Sequence, residues 1–127
     1  MNQSDVQNTK INVINSSQLA TLRGMQKPGH ADLVTELIDL FLEETKSQLK
    51  GLHKAHVSND AKEIRRVAHL LKGSSASIGA RQMAALYQEL EGKDQANRNT
   101  EGLLLRLDQE FELVRSALEV ERKEIEG

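Results

Sequence analysis

The chain has 127 residues, of which 17 are basic and 19 acidic, giving a formal net charge of -2, and it contains no cysteine. This length suffices for one packed domain and is too short for a second catalytic module. The lack of cysteine excludes disulfides and thiolate zinc sites, and the balanced charge argues against nucleic acid as a partner.

The first ten residues are polar and aperiodic, which predicts a flexible tail or interdomain linker over 1–10. They lack the apolar stretch of a signal peptide. No later stretch approaches the roughly 18 apolar residues of a membrane span. We therefore expect a cytoplasmic chain without direct membrane contact.

A short N-terminal helix is the first predicted element. The element begins near Ile11, Ser16 or Ser17 is the predicted helix cap, and Gly24 and the Pro28-Gly29 pair end it. This short helix is predicted to cover one part of a larger domain like a lid. The main core must therefore come from the helices that follow.

A long amphipathic helix is predicted from Asp32 to about Val57. Apolar residues recur along it at helical spacing and predict the inward stripe, namely Leu33, Leu37, Leu40, Phe41, Leu49 and Leu52. Asp60 and Glu63 then resemble a capping box for a second long helix, and Gly79 is its natural end. The buried stripe predicted for this second helix is Ile64, Ala68, Leu71, Ser75 and Ile78.

Two more amphipathic helices complete the chain. One runs from about Ala80 to Gly92, and Thr100 is the predicted cap of the other. Their inward positions are Met83, Leu86, Tyr87 and Leu90 in the first, and Leu104, Leu107, Phe111, Val114 and Leu118 in the second. The prediction is an all-α protein, an antiparallel four-helix bundle with a short additional N-terminal helix, forming one domain over 11–125.

His69 is the residue on which a functional prediction rests. It lies roughly 140° from the centre of the buried stripe of its helix and so points to solvent. Lys72, Gly73 and Ala76 follow at three, four and seven positions and share its face. Gly73 in a helix interior costs about 1 kcal/mol relative to alanine, so folding alone would not select it. Small residues around an exposed histidine instead predict a surface that another protein approaches closely.

The residue types at this position suit phosphoryl transfer. A neutral imidazole nitrogen is a nucleophile near pH 7 and needs no separate base. Catalysis of phosphoryl transfer consists mostly of positioning and charge compensation, and Lys72 supplies a cation one turn from the ring.

The residues His69, Leu71, Lys72, Gly73, Ser74, Ser75 and Gly79 fit a pattern H-x-L-K-G-S-S-x-x-x-G. This pattern resembles that of histidine-containing phosphotransfer (Hpt) domains, and the similar order of elements extends it over roughly Ile11 to Leu118. The resemblance implies a four-helix bundle that accepts a phosphoryl group on His69 from a receiver-domain aspartate and passes it to another receiver. It further implies that Lys72 is the phosphate-side cation and Gly73 the close-approach position.

The resemblance also implies the partners of the chain. These are receiver domains of response regulators or hybrid sensor kinases, which supply Mg²⁺ and the aspartate. The chain is then a phosphocarrier without kinase activity, cofactor or metal of its own. Monomer is the default state, and the chain is either free-standing or the C-terminal domain of a membrane-bound hybrid sensor kinase.

One family feature is a polar residue on the neighbouring helix that orients the histidine ring. If the turn centres near Gly79 and Ala80, the position opposite His69 is near Leu90 or Glu91. Gln88 and Glu91 are the polar candidates. Glu91 is favoured, because a carboxylate accepts a hydrogen bond from one ring nitrogen and leaves the other free to attack.

Three other interpretations were weighed. His53 and His56 have a spacing that could serve a metal, but no third ligand accompanies them. A histidine-kinase dimerisation domain would have an acidic residue directly after the histidine, where this chain has Leu70, and an ATP-binding domain after it. The remaining alternative is a helical adaptor that binds a signalling partner through the same face without being phosphorylated.

Overall fold

A computed structural model of the chain describes residues 13–25, 33–92 and 99–126, with side chains up to residue 123. Five α-helices make up these ranges, and no strand occurs in them. The helices are α1 (Ser16–Gly24), α2 (Leu33–Val57), α3 (Ala61–Ile78), α4 (Arg81–Glu91) and α5 (Thr100–Glu126). The predicted tail over 1–10 and the predicted helix starts at Ile11 and Asp32 lie outside the described residues.

The four longer helices form a closed ring of packed neighbours. Helix α2 packs against α3 and α5, α4 packs against the same two helices, and α1 lies on α2. Side chains from all five helices meet in one core, whose largest fully buried members include Leu19, Ile38, Leu71, Tyr87 and Leu107. The predicted all-α four-helix bundle with a short N-terminal helix is therefore confirmed. None of the helices described is long and apolar enough to span a bilayer.

The inward stripes predicted for α3, α4 and α5 are all buried. The stripe predicted for α2 was partly wrong, because Leu33, Leu37 and Leu40 are 50%, 45% and 62% exposed. The buried face of α2 is instead Val34, Ile38, Phe41, Thr45, Leu49, Leu52 and Ala55. This helix has more apolar residues than its core contact uses, so a second apolar face is left at the surface.

Asparagine and aspartate side chains cap three of the helices. The Oδ1 atom of Asn15 accepts a hydrogen bond from Gln18 N at 3.1 Å, so Asn15 caps α1, and the prediction of Ser16 or Ser17 was wrong. Asn99 serves the same purpose for α5, accepting from Gly102 N at 2.9 Å, and the predicted cap Thr100 is instead the first residue of that helix.

Asp60 caps α3 as predicted, accepting from Glu63 N at 3.1 Å. The reciprocal half of the expected capping box does not form. The Glu63 carboxylate pairs with Arg66 at 2.7 Å, and Asp60 N donates to Ala55 O instead. Arg66 thus competes successfully for the acidic side chain that the sequence pattern assigned to the cap.

The C-terminal end of α3 is fastened to the start of α1. Gly79 follows α3 in the left-handed conformation at φ 86°, and its carbonyl oxygen accepts from Asn15 N at 2.9 Å. Gln18 Nε2 donates to the carbonyl oxygens of Ala76 and Ser77, at 2.9 and 2.6 Å. These bonds satisfy carbonyl groups that a helix end would otherwise leave unpaired, and they fix the end of the helix that carries His69.

Candidate functional site

Helix α3 presents His69 to solvent on the face opposite its buried stripe. The side chain of His69 is 70% exposed, whereas Ala68 directly before it and Leu71 two positions after it are buried. This alternation follows from the helical period, because a residue one step from the core-facing direction turns by about 100°. The ring is therefore accessible to a second protein while its backbone is held by the core.

Helix α4 places a carboxylate beside the His69 ring. The Nδ1 atom of His69 lies 2.6 Å from Oε2 of Glu91, and Nζ of Lys72 lies 2.8 Å from Oε1 of the same carboxylate. Glu91 thus bridges the histidine and the lysine, one through each oxygen. The three predicted residues come together because α3 and α4 are antiparallel neighbours joined by a short turn at Gly79 and Ala80.

The hydrogen bond from the Lys72 ammonium is the main cause that lowers the pKa of the Glu91 carboxyl below its ordinary value. Desolvation opposes it, and the His69 ring adds to the lowering, so the net direction is down. Glu91 is consequently a carboxylate at neutral pH and only accepts hydrogen bonds. The proton shared at 2.6 Å then belongs to Nδ1 of His69. This neutral tautomer leaves a lone pair on Nε2, the ring nitrogen that does not contact Glu91, and this nitrogen is the candidate nucleophile.

Gln88, the other ring-orienting candidate, is not part of this cluster. It is exposed on α4, and its side chain makes no hydrogen bond to another described residue. Glu91 is thus the candidate that the structure brings to the ring, and its ring-orienting function stays a prediction.

Gly73 and Ala76 leave the surface beside His69 open. Both are exposed, and a Cβ atom built onto Gly73 would meet no other atom within 4 Å. No intramolecular packing therefore requires glycine at this position. Arg65 and Lys62, one and two turns before His69, are also exposed, so this face of α3 is basic.

An apolar groove borders the exposed face of α3 on the side that faces α1 and α2. It has a volume of about 330 Å³ and lies between α1, α2 and α3. Its apolar lining includes Leu22, Leu37, Leu40, Leu70 and Ile78. Leu70 directly follows His69 and is 48% exposed, so the groove begins next to the histidine.

The groove and its one charged lining residue, Glu44, were missed by the sequence prediction. Leu37 and Leu40 were assigned to the core because they recur at helical spacing. The sequence does contain a signal for the groove, namely that the apolar surface of α2 is wider than one core-facing stripe. Residues 33, 37, 40 and 44 fall on one helical face and residues 34, 38, 41 and 45 on another, about 100° apart. A single core contact does not need both faces.

The other described histidines lie away from this cluster. His53 Nε2 lies 2.9 Å from Oδ2 of Asp108 on α5, in an exposed pair. His56 is half-buried, and His30 lies outside the described residues. Where side chains are described, no group of three or more histidine, aspartate or glutamate residues is placed to hold a metal ion.

A family model, a related sequence and a solved structure all indicate the same family for this chain. The family model of the Hpt domain matches residues 36–117, which include α3 and the whole of α4. Histidine-containing phosphotransfer protein 2 of Arabidopsis thaliana is 28% identical over 108 residues, covering 80% of this chain and 69% of that protein. The crystal structure of histidine-containing phosphotransfer protein B (HptB) from Pseudomonas aeruginosa PAO1 superimposes with a TM-score of 0.79 at 28% identity. That match covers 88% of this chain and 96% of HptB.

Proposed function

This chain belongs to the Hpt domain family, and from that premise we propose that it is a phosphorelay intermediate that accepts a phosphoryl group on His69. The donor is the phosphorylated aspartate of a receiver domain, and the acceptor of the next step is the aspartate of another receiver. The observation that carries the proposal is the exposed His69 ring held through Nδ1 by Glu91. Two proteins with phosphotransfer in their names resemble the chain in sequence or structure.

The transfer step uses the free ring nitrogen. The lone pair of Nε2 attacks phosphorus, the N–P bond forms, and the P–O bond to the receiver aspartate breaks as its carboxylate leaves with the electron pair. The Nδ1 proton stays on the ring. The positive charge that develops on the imidazole is stabilised by the Glu91 carboxylate 2.6 Å away.

Lys72 compensates the charge of the transferred group. Its ammonium is one helical turn from His69 and pairs with Glu91 at 2.8 Å. Rotation about its side-chain bonds brings the ammonium from Glu91 toward the phosphoryl oxygens without any movement of the helix. Mg²⁺ and the acidic residues that bind it belong to the receiver, so this chain contributes a nucleophile, its positioning carboxylate and one cation.

Docking uses the open face around His69. A receiver aspartate lies in a pocket, and the histidine reaches it only if the backbone of α3 approaches closely. Gly73 and Ala76 allow this approach, and the basic side chains of Lys62 and Arg65 attract an acidic partner surface. The groove next to Leu70 offers an apolar contact that continues from the same face.

The experiment is a transfer assay with purified receiver domains phosphorylated by a small-molecule phosphodonor. We expect the wild-type chain to gain acid-labile, alkali-stable label and His69→Gln to gain none. Label on His69→Gln equal to that on wild type would refute the proposal. A chain that binds a receiver but never gains label would instead be the helical adaptor considered above.

A further inference from the structure

The groove between α1, α2 and α3 has a charge pattern that the transfer chemistry does not require. Its lining is apolar apart from two serines, Thr45 and Glu44, and Glu44 is the one charged side chain among them. Glu44 is exposed and has no ion-pair partner in the part of the chain that is described. A carboxylate at the edge of an apolar contact surface is costly to desolvate unless a partner supplies a cation.

Thr45 adds a second unused polar group beside it. This residue is 1% exposed and lines the groove, and its hydroxyl forms no hydrogen bond within the described ranges. Core threonines are normally hydrogen-bonded. The chain by itself thus leaves two neighbouring oxygen-bearing side chains of the groove without a hydrogen-bonding or ionic partner.

The charge at Glu44 is opposite to the charge around the histidine. Lys62 and Arg65 make the His69 face basic, while Glu44 is an acidic residue of α2 that lines the groove together with Leu40 and Leu70. A docked protein must match both signs at once. Two opposite charges on one docking surface fix the orientation of a partner more firmly than either charge alone.

We propose that Glu44 selects among receiver domains by pairing with a lysine or arginine that lies next to aliphatic side chains on the docking surface of the partner. The aliphatic side chains occupy the groove against Leu37, Leu40 and Leu70. Receivers with an acidic or neutral residue at that position are disfavoured, since they leave the Glu44 carboxylate desolvated and without a cation. This inference rests on the proposed function, because the groove is assigned to the same docking event as His69.

The test compares Glu44→Lys with Glu43→Lys in transfer from a phosphorylated receiver domain. Glu43 is a matched control, because it precedes Glu44 on α2, is exposed, and lies outside the groove. We expect Glu44→Lys to lower kcat/KM by about tenfold or more through KM, and Glu43→Lys to change it by less than about threefold. Thermal melts of both variants check that the bundle remains folded.

The second experiment reverses charges on the receiver domain. In a receiver that transfers to wild type, each exposed lysine and arginine is changed to glutamate in turn. We expect one such receiver variant to transfer poorly to wild type and to regain activity with Glu44→Lys but not with Glu43→Lys. The inference is overturned if no receiver variant is rescued in this way.

The outcomes separate this inference from the function on which it rests. Equal transfer to Glu44→Lys and Glu43→Lys, with wild type fully active, overturns the selection by Glu44 and leaves the phosphorelay proposal standing. Failure of wild type to gain label from any receiver overturns both. A second copy of the chain is another candidate occupant of the groove. Sedimentation of the chain alone tests it: a dimer that Glu44→Lys dissociates would place the second copy there and overturn the proposal.

Discussion

Glu91 occupies a shared position between two side chains of α3, with one carboxylate oxygen on His69 and the other on Lys72. We expect the hydrogen bond between Glu91 and His69 to restrict rotation of the imidazole and to keep its proton on Nδ1. The side chain of Glu91 is only 26% exposed, so solvent competes less for its oxygens than for those of a fully exposed carboxylate.

Loss of the Glu91 carboxylate should slow transfer without unfolding the bundle. A hydrogen bond to a charged group contributes about 1.5–3 kcal/mol, so we expect Glu91→Ala to lower the transfer rate by about tenfold to a hundredfold. Gln88→Ala is the control on the same helix, because the Gln88 side chain is exposed and makes no hydrogen bond to another described residue. Single-turnover labelling gives both rates. An unchanged rate for Glu91→Ala would contradict the positioning function.

The ion pair with Lys72 predicts a pH effect of defined sign. Because Lys72 is the largest cause of the lowered Glu91 pKa, Lys72→Met should raise that pKa toward its ordinary value. The stabilisation from this pair is fully present above the ordinary carboxyl pKa and is lost as the pH falls through the lowered one. A ¹³C NMR titration of the glutamate side chains measures the shift. An identical Glu91 titration in the two proteins would show that the pair does not form in solution.

At the scale of the element, α3 combines a well-packed inner face with an outer face of weak helix formers. Its interior includes Gly73, and its end is held by Gly79 and by the hydrogen bonds from Asn15 and Gln18. The two glycines differ in physical situation. Gly79 needs its positive φ and its lack of a side chain, whereas Gly73 is in regular helix with open space around it.

The two glycines should respond to alanine with opposite signs. A Cβ atom on Gly79 would lie 2.9 Å from the backbone nitrogen of Asn15, at a φ that alanine disfavours. We expect Gly79→Ala to lower the free energy of unfolding by about 1–3 kcal/mol. Gly73→Ala should raise it by up to about 1 kcal/mol, because alanine is the better helix former. Urea unfolding measures both, and equal effects of the same sign would contradict this description of the helix.

A long side chain at position 73 should separate folding from docking. We expect Gly73→Gln to leave the free energy of unfolding within about 1 kcal/mol of wild type, because glutamine is a good helix former and the space is open. Transfer from a receiver should nevertheless fall by about tenfold or more, since the side chain blocks close approach to His69. Unchanged transfer with a receiver that labels wild type would refute docking over Gly73.

Helical periodicity predicted α3, α4 and α5 correctly because each of these helices buries one apolar face against its neighbours. It was partly wrong for α2, where Phe41, Leu49 and Leu52 are buried as predicted but Leu33, Leu37 and Leu40 are exposed. Two apolar faces of this helix lie about 100° apart, and spacing alone does not tell which one enters the core. Leu37 and Leu40 satisfy the same periodicity as Ile38 and Phe41. The caps at Asn15 and Asn99 were missed for a related reason, since a serine or threonine neighbour is an equally good cap on sequence grounds.

At the scale of the whole molecule, the sequence predicted the helical bundle and the outward direction of His69. It also predicted Glu91 as one of two candidates for the residue beside the His69 ring. Choosing between Gln88 and Glu91 required the register of α4 against α3, which depends on the geometry of the turn at Gly79. The bridge from Glu91 to Lys72 and the groove with Glu44 depend on three-dimensional packing among separate helices. No spacing rule within one helix contains that information.

The residues that stabilise the bundle are different from the residues of the candidate site. Its core lies inside the ring of α2 to α5, whereas His69, Lys72 and Glu91 lie on its outer surface with their backbones anchored by buried neighbours. We therefore expect surface variants at the site to change transfer rates while leaving thermal stability within a few degrees of wild type. Thermal melts recorded beside the transfer assays check this at each position.

The most direct measurement is NMR of the phosphorylated chain with ¹⁵N-labelled histidine. We predict that phosphorus couples to Nε2 of His69 while Nδ1 retains its proton and its hydrogen bond to Glu91. Coupling to Nδ1 of His69, or phosphorylation of His53 or His56 in its place, would contradict this prediction.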